Sequence, residues 1–496
     1  NRFYQTGTHT WTTEATHRAI DIGPSTATSG AQGFTITGNT VGYASNTQTG
    51  VYTLTGSTGK FQGIVFSGIS AGTASTINNN TVAAVSMTGV TSSGTSTSSP
   101  LVGMLFLNGN FTGNNNTIGS QSSTGSIVLS TTTTLATDVY GMYNFTFENS
   151  TNTGNTVGGI SVTNLGASGT FLVFGIRANT GTTLLWNASN NTIGGSVANS
   201  IQLNATGTSS QVTGLAASSA VATFNQNTIR NLTTNIGTGT TSSASVIGIS
   251  TGTSTTPTHT ISQNTIHTLT NTNATAASVV TGIHFTGSAG ANVVERNQIY
   301  NLLAPTTSTT AEINGIRVGG GTTTYRNNTI ALGANQAIAI GTTATNSSTA
   351  GINGFMGALG TDAFVHNSVY IGGTATSGSG NSYALNGTQT VNTRSFRDNI
   401  FQNSRTNSGA TGKHYAVKIN GTAANPTGLT INNNIYFANG TGGVFGFFNS
   451  LDVANLAAWK VAVGQDAGSF ESNPQFNDPT NAVPDLHLHP TNPTVA

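Results

Sequence analysis

The chain has 496 residues, and only 5% of them are charged, compared with about 25% in an ordinary globular domain. Its 14 basic and 13 acidic residues give a net charge of +1, which excludes the basic face that a nucleic-acid-binding protein requires. A hydrophobic content of 35% at this low charge excludes disorder driven by charge repulsion. The lack of cysteine excludes disulfides and thiolate metal sites, and because no apolar run reaches about 18 residues we expect no membrane insertion.

Residues 1–30 precede a repeat and are expected to form an N-terminal lead-in or cap. From residue 31 to residue 450, an Asn followed two residues later by Ile or Val recurs about every 36 residues. We expect this Asn to lie at a turn, where it tolerates left-handed backbone and passes side-chain hydrogen bonds to the Asn of the next copy. The Asn positions are Asn39, Asn80, Asn116, Asn155, Asn191, Asn227, Asn264, Asn297, Asn328 and Asn367, and Asp398 and Asn433 continue the series.

Each copy of the repeat contains three segments that are typical of short strands. The residue two positions after the Asn is β-branched throughout, from Val41 to Ile435, and stiff branched side chains favour strands. Another apolar residue stands three positions before the Asn, as at Ile36, and a third segment begins with Gly and an apolar residue, as at Gly103. Copies of this kind stack as coils, so the sequence predicts an all-β parallel β-helix of about twelve coils with the Ile/Val column as its core.

The last segment, residues 451–496, differs from the repeat and is expected to be a C-terminal helix followed by a proline-rich capping tail. The residues from Leu451 to Lys460 have helical spacing, with Trp459 on the apolar face. An open end of a β-helix exposes unpaired backbone and apolar side chains, so a cap is physically required there. The lack of a clear stop before Ala496 further predicts that the chain is one segment of a longer polypeptide.

The repeat resembles the right-handed parallel β-helix proteins of the pectate-lyase-like superfamily. The segment from Val293 to Tyr300, followed by the segment from Gly315 to Val318, looks like a typical coil of the repeat-rich versions in large secreted bacterial surface proteins. The resemblance extends over about residues 30–450 and implies the fold, whereas the function is open because this fold hosts enzymes, adhesins and stalks alike.

The acidic residues are too sparse for the chemistry that the resemblance implies for an enzyme. Lyases of this fold hold Ca²⁺ with several carboxylates, and its hydrolases use clustered Asp. Between Glu148 and Asp452 the chain has four acidic residues, no two of which share a column in adjacent coils: Glu295, Glu312, Asp362 and Asp398. We therefore predict no catalytic residues, no metal site and no cofactor.

Two residues of the middle coils are candidates for a glycan-binding patch. Because coils lie about 4.8 Å apart, His284 and Arg317 should be near neighbours on one outward face. The alternative is an ordinary solvated surface with a Glu312–Arg317 or Glu295–Arg326 ion pair, and such pairs contribute little stability.

A second candidate is the column three positions after the Asn, which becomes aromatic late in the chain, at Tyr370, Phe401 and Tyr436. Aromatic rings on an exposed sheet can stack on sugar rings. Alternatively, the segment 451–496 covers this aromatic column.

Together these observations predict a non-enzymatic, extracellular structural or adhesive β-helix that is part of a larger cell-surface or filament protein. Its expected partners are surface glycans or neighbouring copies in a filament, without nucleic acid and without membrane insertion. The alternative is a carbohydrate-binding or carbohydrate-active β-helix that resembles polysaccharide lyases and hydrolases.

Overall fold

A computed structural model describes residues 1–23, 31–69, 72–146, 148–179, 184–207, 209–237, 245–252, 258–306, 308, 311–333, 351–357, 359–375 and 378–489. The chain divides into two compact units, Asn1–Ile236 with Ser245–Thr256, and Gly237–Ala244 with Pro257–Ala496. Each unit is a parallel β-solenoid, which confirms the predicted fold class.

In the first unit, strands of successive turns pair in parallel and contribute to two sheets. The first sheet contains Arg2–Phe3, His9–Trp11, Thr40–Gly42, Tyr52–Gly56, Thr81–Ala83, Val85–Val90, Thr117–Gly119, Ile127–Thr131, Thr156–Gly158, Ile160–Asn164, Thr192–Ile193, Ile201–Asn204 and Thr228–Thr234. The second contains Ala15–Ile22, Thr35–Thr37, Gly59–Ser67, Ser75–Asn78, Leu101–Leu107, Phe111–Thr112, Thr137–Phe145, Ser150–Thr153, Phe171–Ala178, Leu185–Ser189, Gln211–Ala217, Val221–Asn225 and Val246–Thr251. A short 3-10 helix spans Ser96–Ser98.

The second unit has the same arrangement. Its first sheet contains Thr265–Asn271, Gln298–Leu303, Thr329–Leu332, Ser368–Ile371, Ile400–Asn403, Ile435–Ala438 and Phe470–Glu471. Its second contains Thr260–Ser262, Val279–Glu295, Glu312–Arg326, Gly351–Met356, Thr361–Val365, Ser382–Gly387, Arg394–Arg397, His414–Ile419, Leu429–Asn432, Gly443–Phe448 and Leu451–Val453. Separate small sheets pair Thr374–Ala375 with Thr406–Asn407, and Phe476–Asp478 with Asp485–Leu488, and the helix spans Leu456–Val463.

The number of strands in a turn differs from the predicted three in much of the first unit. There the segment after the Asn holds two strands, as in Thr156–Gly158 and Ile160–Asn164. Gly159, with a φ of 63°, separates these two strands because left-handed backbone cannot continue an extended ladder.

The N-terminal residues pair with the following turns of the first unit. Arg2 pairs with Thr40, and His9 pairs with Leu54, in the parallel register of the following turns. The Nδ2 of Asn1 donates to the Oδ1 of Asn39 at 3.1 Å, so Asn1 takes the position of the repeated Asn.

The predicted Asn ladder is present in both units. In the first, the backbone N–H and the Nδ2 of each ladder Asn both donate to the Oδ1 of the next, at 2.8–3.1 Å and 2.9–3.2 Å, along Asn39, Asn80, Asn116, Asn155, Asn191 and Asn227. In the second, the same bonds, at 3.0–3.1 Å and 2.9–3.0 Å, join Asn264, Asn297, Asn328, Asn367, Asn399 and Asn434. All of these side chains are buried.

The repeat predicted left-handed backbone at the ladder Asn. In the structure, the residue before the ladder Asn has the left-handed conformation instead. Asn79, Asn115 and Asn190 have φ values of 58°, 54° and 56°, and their side chains are exposed. The division has a physical reason: the ladder Asn needs extended backbone so that its side chain points inward onto the next turn, whereas the exposed residue makes the bend.

The predicted series is wrong by one residue in the last two turns. Asn399 and Asn434 continue the ladder, whereas Asp398 and Asn433, each with a φ of 58°, occupy the left-handed position. A carboxylate has no N–H to donate, so Asp398 cannot replace a ladder Asn.

The C-terminal segment belongs to the second unit and packs against its last turns. The ladder ends where the N–H of Asn434 donates to the Oγ of Ser469 at 2.8 Å. The helix Leu456–Val463 begins later than the predicted helical stretch, because Leu451–Val453 pairs antiparallel with Gly446–Phe448. Trp459 is fully buried, and its Nε1 donates to Asp466 Oδ2 at 2.8 Å.

Candidate functional site

His284 and Arg317 lie next to each other in the second unit, as the repeat predicts. They are register partners in the parallel strands Val279–Glu295 and Glu312–Arg326. They face away from the core, because the adjacent Ile316 is fully buried and a Cβ on Gly315 would point at the side chain of Ile330, at 2.5 Å. The position after each Gly-apolar pair is therefore an outward column.

The environment of this pair is more enclosed than a solvated surface. Arg317 Nη1 lies 3.6 Å from the Oε2 of Glu312, whose side chain is only 3% exposed. Burial raises the pKa of Glu312, and Arg317 opposes that rise. Burial, together with the positive charge of Arg317, lowers the pKa of His284 to about 4, so this imidazole is neutral at pH 7.

A second, shorter row of asparagines runs beside this pair. Asn353 Nδ2 donates to Asn314 Oδ1, and Asn386 Nδ2 donates to Asn353 Oδ1, each at 2.9 Å. Glu312 interacts with both Asn314 and Arg317, whereas Thr281 Oγ1 and Asn386 Oδ1 are buried here without a hydrogen-bond partner among the described residues. The row gives this face its own polar packing, which the sequence did not suggest.

Both ion pairs of the alternative interpretation are present. Besides Glu312–Arg317, the Nε of Arg326 lies 2.5 Å from the Oε2 of Glu295. The Arg326 side chain is 48% exposed, so solvent screening leaves this pair with little effect on stability.

The proposed aromatic column of Tyr370, Phe401 and Tyr436 does not form. Phe401 pairs with Val369, and Tyr436 pairs with Phe401, so both rings lie in the inward Ile/Val column and have no exposed surface. This is the one-residue shift that Asn399 and Asn434 impose on the last turns. Neither Phe401 nor Tyr436 can contact a sugar in this arrangement.

Of the three predicted aromatic residues, only Tyr370 lies in the outward column, and it is covered. It is 7% exposed and belongs to a cluster with Tyr300, Phe476 and Leu486. The rings of Tyr370 and Phe476 meet edge to face, with centroids 6.5 Å apart. The Nε2 of Gln298 also donates to the carbonyl of Pro484 at 3.1 Å, so the tail lies along this face of the second unit.

The outer face of the first unit carries a charged and aromatic cluster that the repeat pattern did not predict. Tyr140 OH donates to Asp138 Oδ2 at 2.5 Å, and Arg177 Nη1 donates to Tyr140 OH at 3.1 Å. The Arg177 guanidinium also lies 4.5 Å from the ring centre of Phe174. Arg177 follows a Gly-apolar pair, so the repeat predicts that its side chain points outward. Asp138 could not be found in the same way, because its register partner in the next turn is Leu172 and no polar residue recurs at that position.

Within the described ranges, no three His, Asp or Glu side chains lie close enough together to hold a metal ion. No helix in those ranges has the length and apolar character needed to cross a membrane. Compared with known proteins, the chain matches no family model, no curated protein and no solved structure.

Proposed function

We propose that this chain is a non-enzymatic structural or adhesive β-solenoid of an extracellular cell-surface or filament protein, of the kind found in large secreted bacterial proteins. Its partners are surface glycans or neighbouring copies of the chain. The observation that carries the proposal is the buried Asn ladder. The most regular feature of the sequence thus has a structural role, because it holds successive turns together.

The charged and aromatic residues that were candidates for a binding site also have structural roles. Glu312 and Arg317 neutralise each other, the Asp138–Tyr140–Arg177 cluster is internally hydrogen-bonded, and Tyr370 is covered by the tail. Because these outward side chains are bonded to or covered by other residues of the chain, we propose that the loops between strands are the parts available to a partner.

A carbohydrate-binding role is the second candidate, and only His284 and Arg317 favour it. The Arg317 side chain is 16% exposed and His284 is partly exposed, so a sugar could reach this edge of the polar row. The neutral imidazole and the guanidinium would then recognise hydroxyl or carboxylate groups.

The test is a combined screen of the purified chain for polysaccharide depolymerisation and glycan-array binding, with immunogold labelling of the cells that produce it. We expect no turnover and labelling at the cell exterior. Turnover that Arg317→Ala abolishes and Arg326→Ala preserves would contradict the proposal, and so would labelling confined to the cell interior. Glycan binding without turnover would identify the adhesive partner.

A further inference from the structure

Arg394 is a charged residue inside the second unit. It begins the strand Arg394–Arg397, on the same side as the fully buried Phe396, and is itself 0% exposed. Its register partners are Asp362 in the preceding turn and Leu429 in the following turn. A guanidinium in such a place needs both hydrogen-bond acceptors and a compensating charge.

Only one edge of this guanidinium is satisfied. Arg394 Nη1 donates to the carbonyls of Asn392, at 2.7 Å, and Thr427, at 2.9 Å. Nε and Nη2 are buried and have no acceptor among the described residues. These two nitrogens form the parallel donor pair with which arginine takes an anion side-on.

The charge is also without a partner. No carboxylate of the described residues lies within ion-pair distance of Arg394, because Asp362 instead accepts from the Gly360 N–H at 3.1 Å through Oδ2 and leaves Oδ1 unbonded. Burial raises the pKa of Asp362 to about 7, so below that pH this carboxyl is mostly protonated and supplies little of the missing negative charge.

The polar atoms nearby favour an anion over a cation. Thr323 Oγ1 and Tyr325 OH, in the turn before Asp362, are buried and interact with each other, and each hydroxyl can donate. With Asp362 protonated, these groups of the inward layer can all act as donors, which suits a ligand that only accepts.

A surface groove lies beside the backbone that holds Arg394 Nη1. Thr427, whose carbonyl binds Arg394 Nη1, lines an open groove of about 260 Å³ together with Thr390, Val391 and residues 421–426. Thr390 and Val391 are exposed, so one wall of this groove is open to solvent.

We propose that the Nε–Nη2 edge of Arg394 binds a small monovalent inorganic anion, such as chloride, inside the second unit. One negative charge neutralises the one uncompensated guanidinium, whereas a divalent oxyanion would bring an excess charge into the core. The anion stabilises the turns that carry Asp362, Arg394 and Leu429 and is independent of the structural or adhesive role.

The test uses thermal unfolding of the whole chain in sodium chloride and in sodium gluconate at equal ionic strength, together with crystals grown in sodium bromide. We expect chloride to raise the unfolding temperature in a saturable way, and bromide to give an anomalous peak against Arg394 Nε and Nη2. Arg394→Lys keeps the charge but removes the paired donors, so it should weaken the chloride dependence at least tenfold. The exposed change Arg326→Gln should leave it intact.

An Asp362 carboxylate or a water at this edge in the bromide crystals would overturn the proposal. A bromide peak without any chloride dependence in solution would also overturn it, since that would be an adventitious ion only. If Arg394→Lys does not fold, the wild-type titration and the anomalous map decide the question on their own.

Discussion

At the scale of single residues, the ladder asparagine works because its amide is used completely. Asn155 Nδ2 donates to the carbonyl of Gly113 and to Asn191 Oδ1, at 2.9 and 3.0 Å. Its Oδ1 accepts the N–H and the Nδ2 of Asn116, at 2.8 and 3.1 Å. The position requires a side chain with two donors and a carbonyl acceptor, and Asn provides them on a side chain one methylene shorter than that of Gln.

Replacing a ladder Asn should therefore leave several buried groups without partners. For Asn155→Ala we expect the free energy of unfolding to fall by about 3 kcal/mol, as unpaired buried donors and acceptors remain in two neighbouring turns. The matched control is Asn190→Gly, at the exposed left-handed position that glycine tolerates, and it should change stability by less than about 0.5 kcal/mol. Denaturant unfolding followed by circular dichroism measures both. Equal losses in the two variants would mean that the ladder contributes nothing special.

His414 predicts a pH effect of definite sign. It is fully buried between Ser382 Oγ and Asn407 Oδ1, each 2.9 Å from a ring nitrogen. Burial, with the charge of Arg405, lowers its pKa from 6.5 to about 3. Because the unfolded chain binds this proton more readily, the stabilisation is complete above pH 6.5 and is lost as the pH falls toward 3.

The comparison of wild type with His414→Gln isolates this effect. Between pH 7 and pH 4 the wild type should lose about 3 kcal/mol more stability than the variant, while contributions such as that of Asp362, which have the opposite sign, cancel between the two. Parallel curves of stability against pH for the two proteins would show that His414 does not titrate in this way.

At the scale of elements, the Gly-apolar strand is fixed by a close approach to the Ile/Val column. A Cβ on Gly103 would lie 2.5 Å from the carbonyl oxygen of Gly141 and 2.7 Å from the Cγ2 of Ile118. The backbone of one sheet thus rests directly on the side chains of the other, and the repeat keeps glycine there for that reason.

Gly103→Ala should accordingly destabilise the first unit by about 2 kcal/mol, since a methyl group must force the two layers apart. Gly7→Ala, where a Cβ would have no atom within 4 Å, is the control and should be neutral. Thermal unfolding compares the pair, and an unchanged midpoint for Gly103→Ala would show that the layers are not in contact at this point.

The C-terminal helix is the second element whose role can be tested. Trp459 packs near Tyr436, Phe445 and Phe448, with ring centroids 5.9–6.5 Å apart. Trp459→Ala should lower the free energy of unfolding by about 4 kcal/mol and raise hydrogen exchange in the strands Leu429–Asn432 and Gly443–Phe448. Val461→Ala changes a residue that is 81% exposed and should do neither. If exchange in those strands were unaffected by Trp459→Ala, the helix would not protect the last turns.

At the scale of the molecule, the sequence predicted what is periodic and missed what is not. The ladders from Asn39 to Asn227 and from Asn264 to Asn367 follow from one recurring residue, because identical turns must offer identical hydrogen bonds. The one-residue shift of the ladder to Asn399 could not be predicted from the sequence. Asp398 and Asn399 both stand before Ile400, and only the inward packing of Phe401 shows that Asn399 is the ladder residue. The outer row of Asn314, Asn353 and Asn386 was missed because it is not periodic: Asn314 and Asn353 are register partners, but Asn386 pairs with Met356.

The low charge follows from the same architecture. Outward columns place each residue about 4.8 Å from its counterpart in the next turn, where like charges repel. Some of the charged side chains in the described part of the chain accordingly have a partner of opposite sign, as at Glu295–Arg326 and Glu312–Arg317, whereas the buried Arg394 has no ion-pair partner there.

The most direct test of the account is side-chain amide hydrogen exchange in protein labelled with ¹⁵N at asparagine. Buried ladder amides such as those of Asn155 and Asn328 should stay protected for hours, whereas exposed left-handed residues such as Asn190 and Asn327 should exchange within the dead time. Uniformly fast exchange of all asparagine amides would contradict the central claim that a buried ladder holds the turns together.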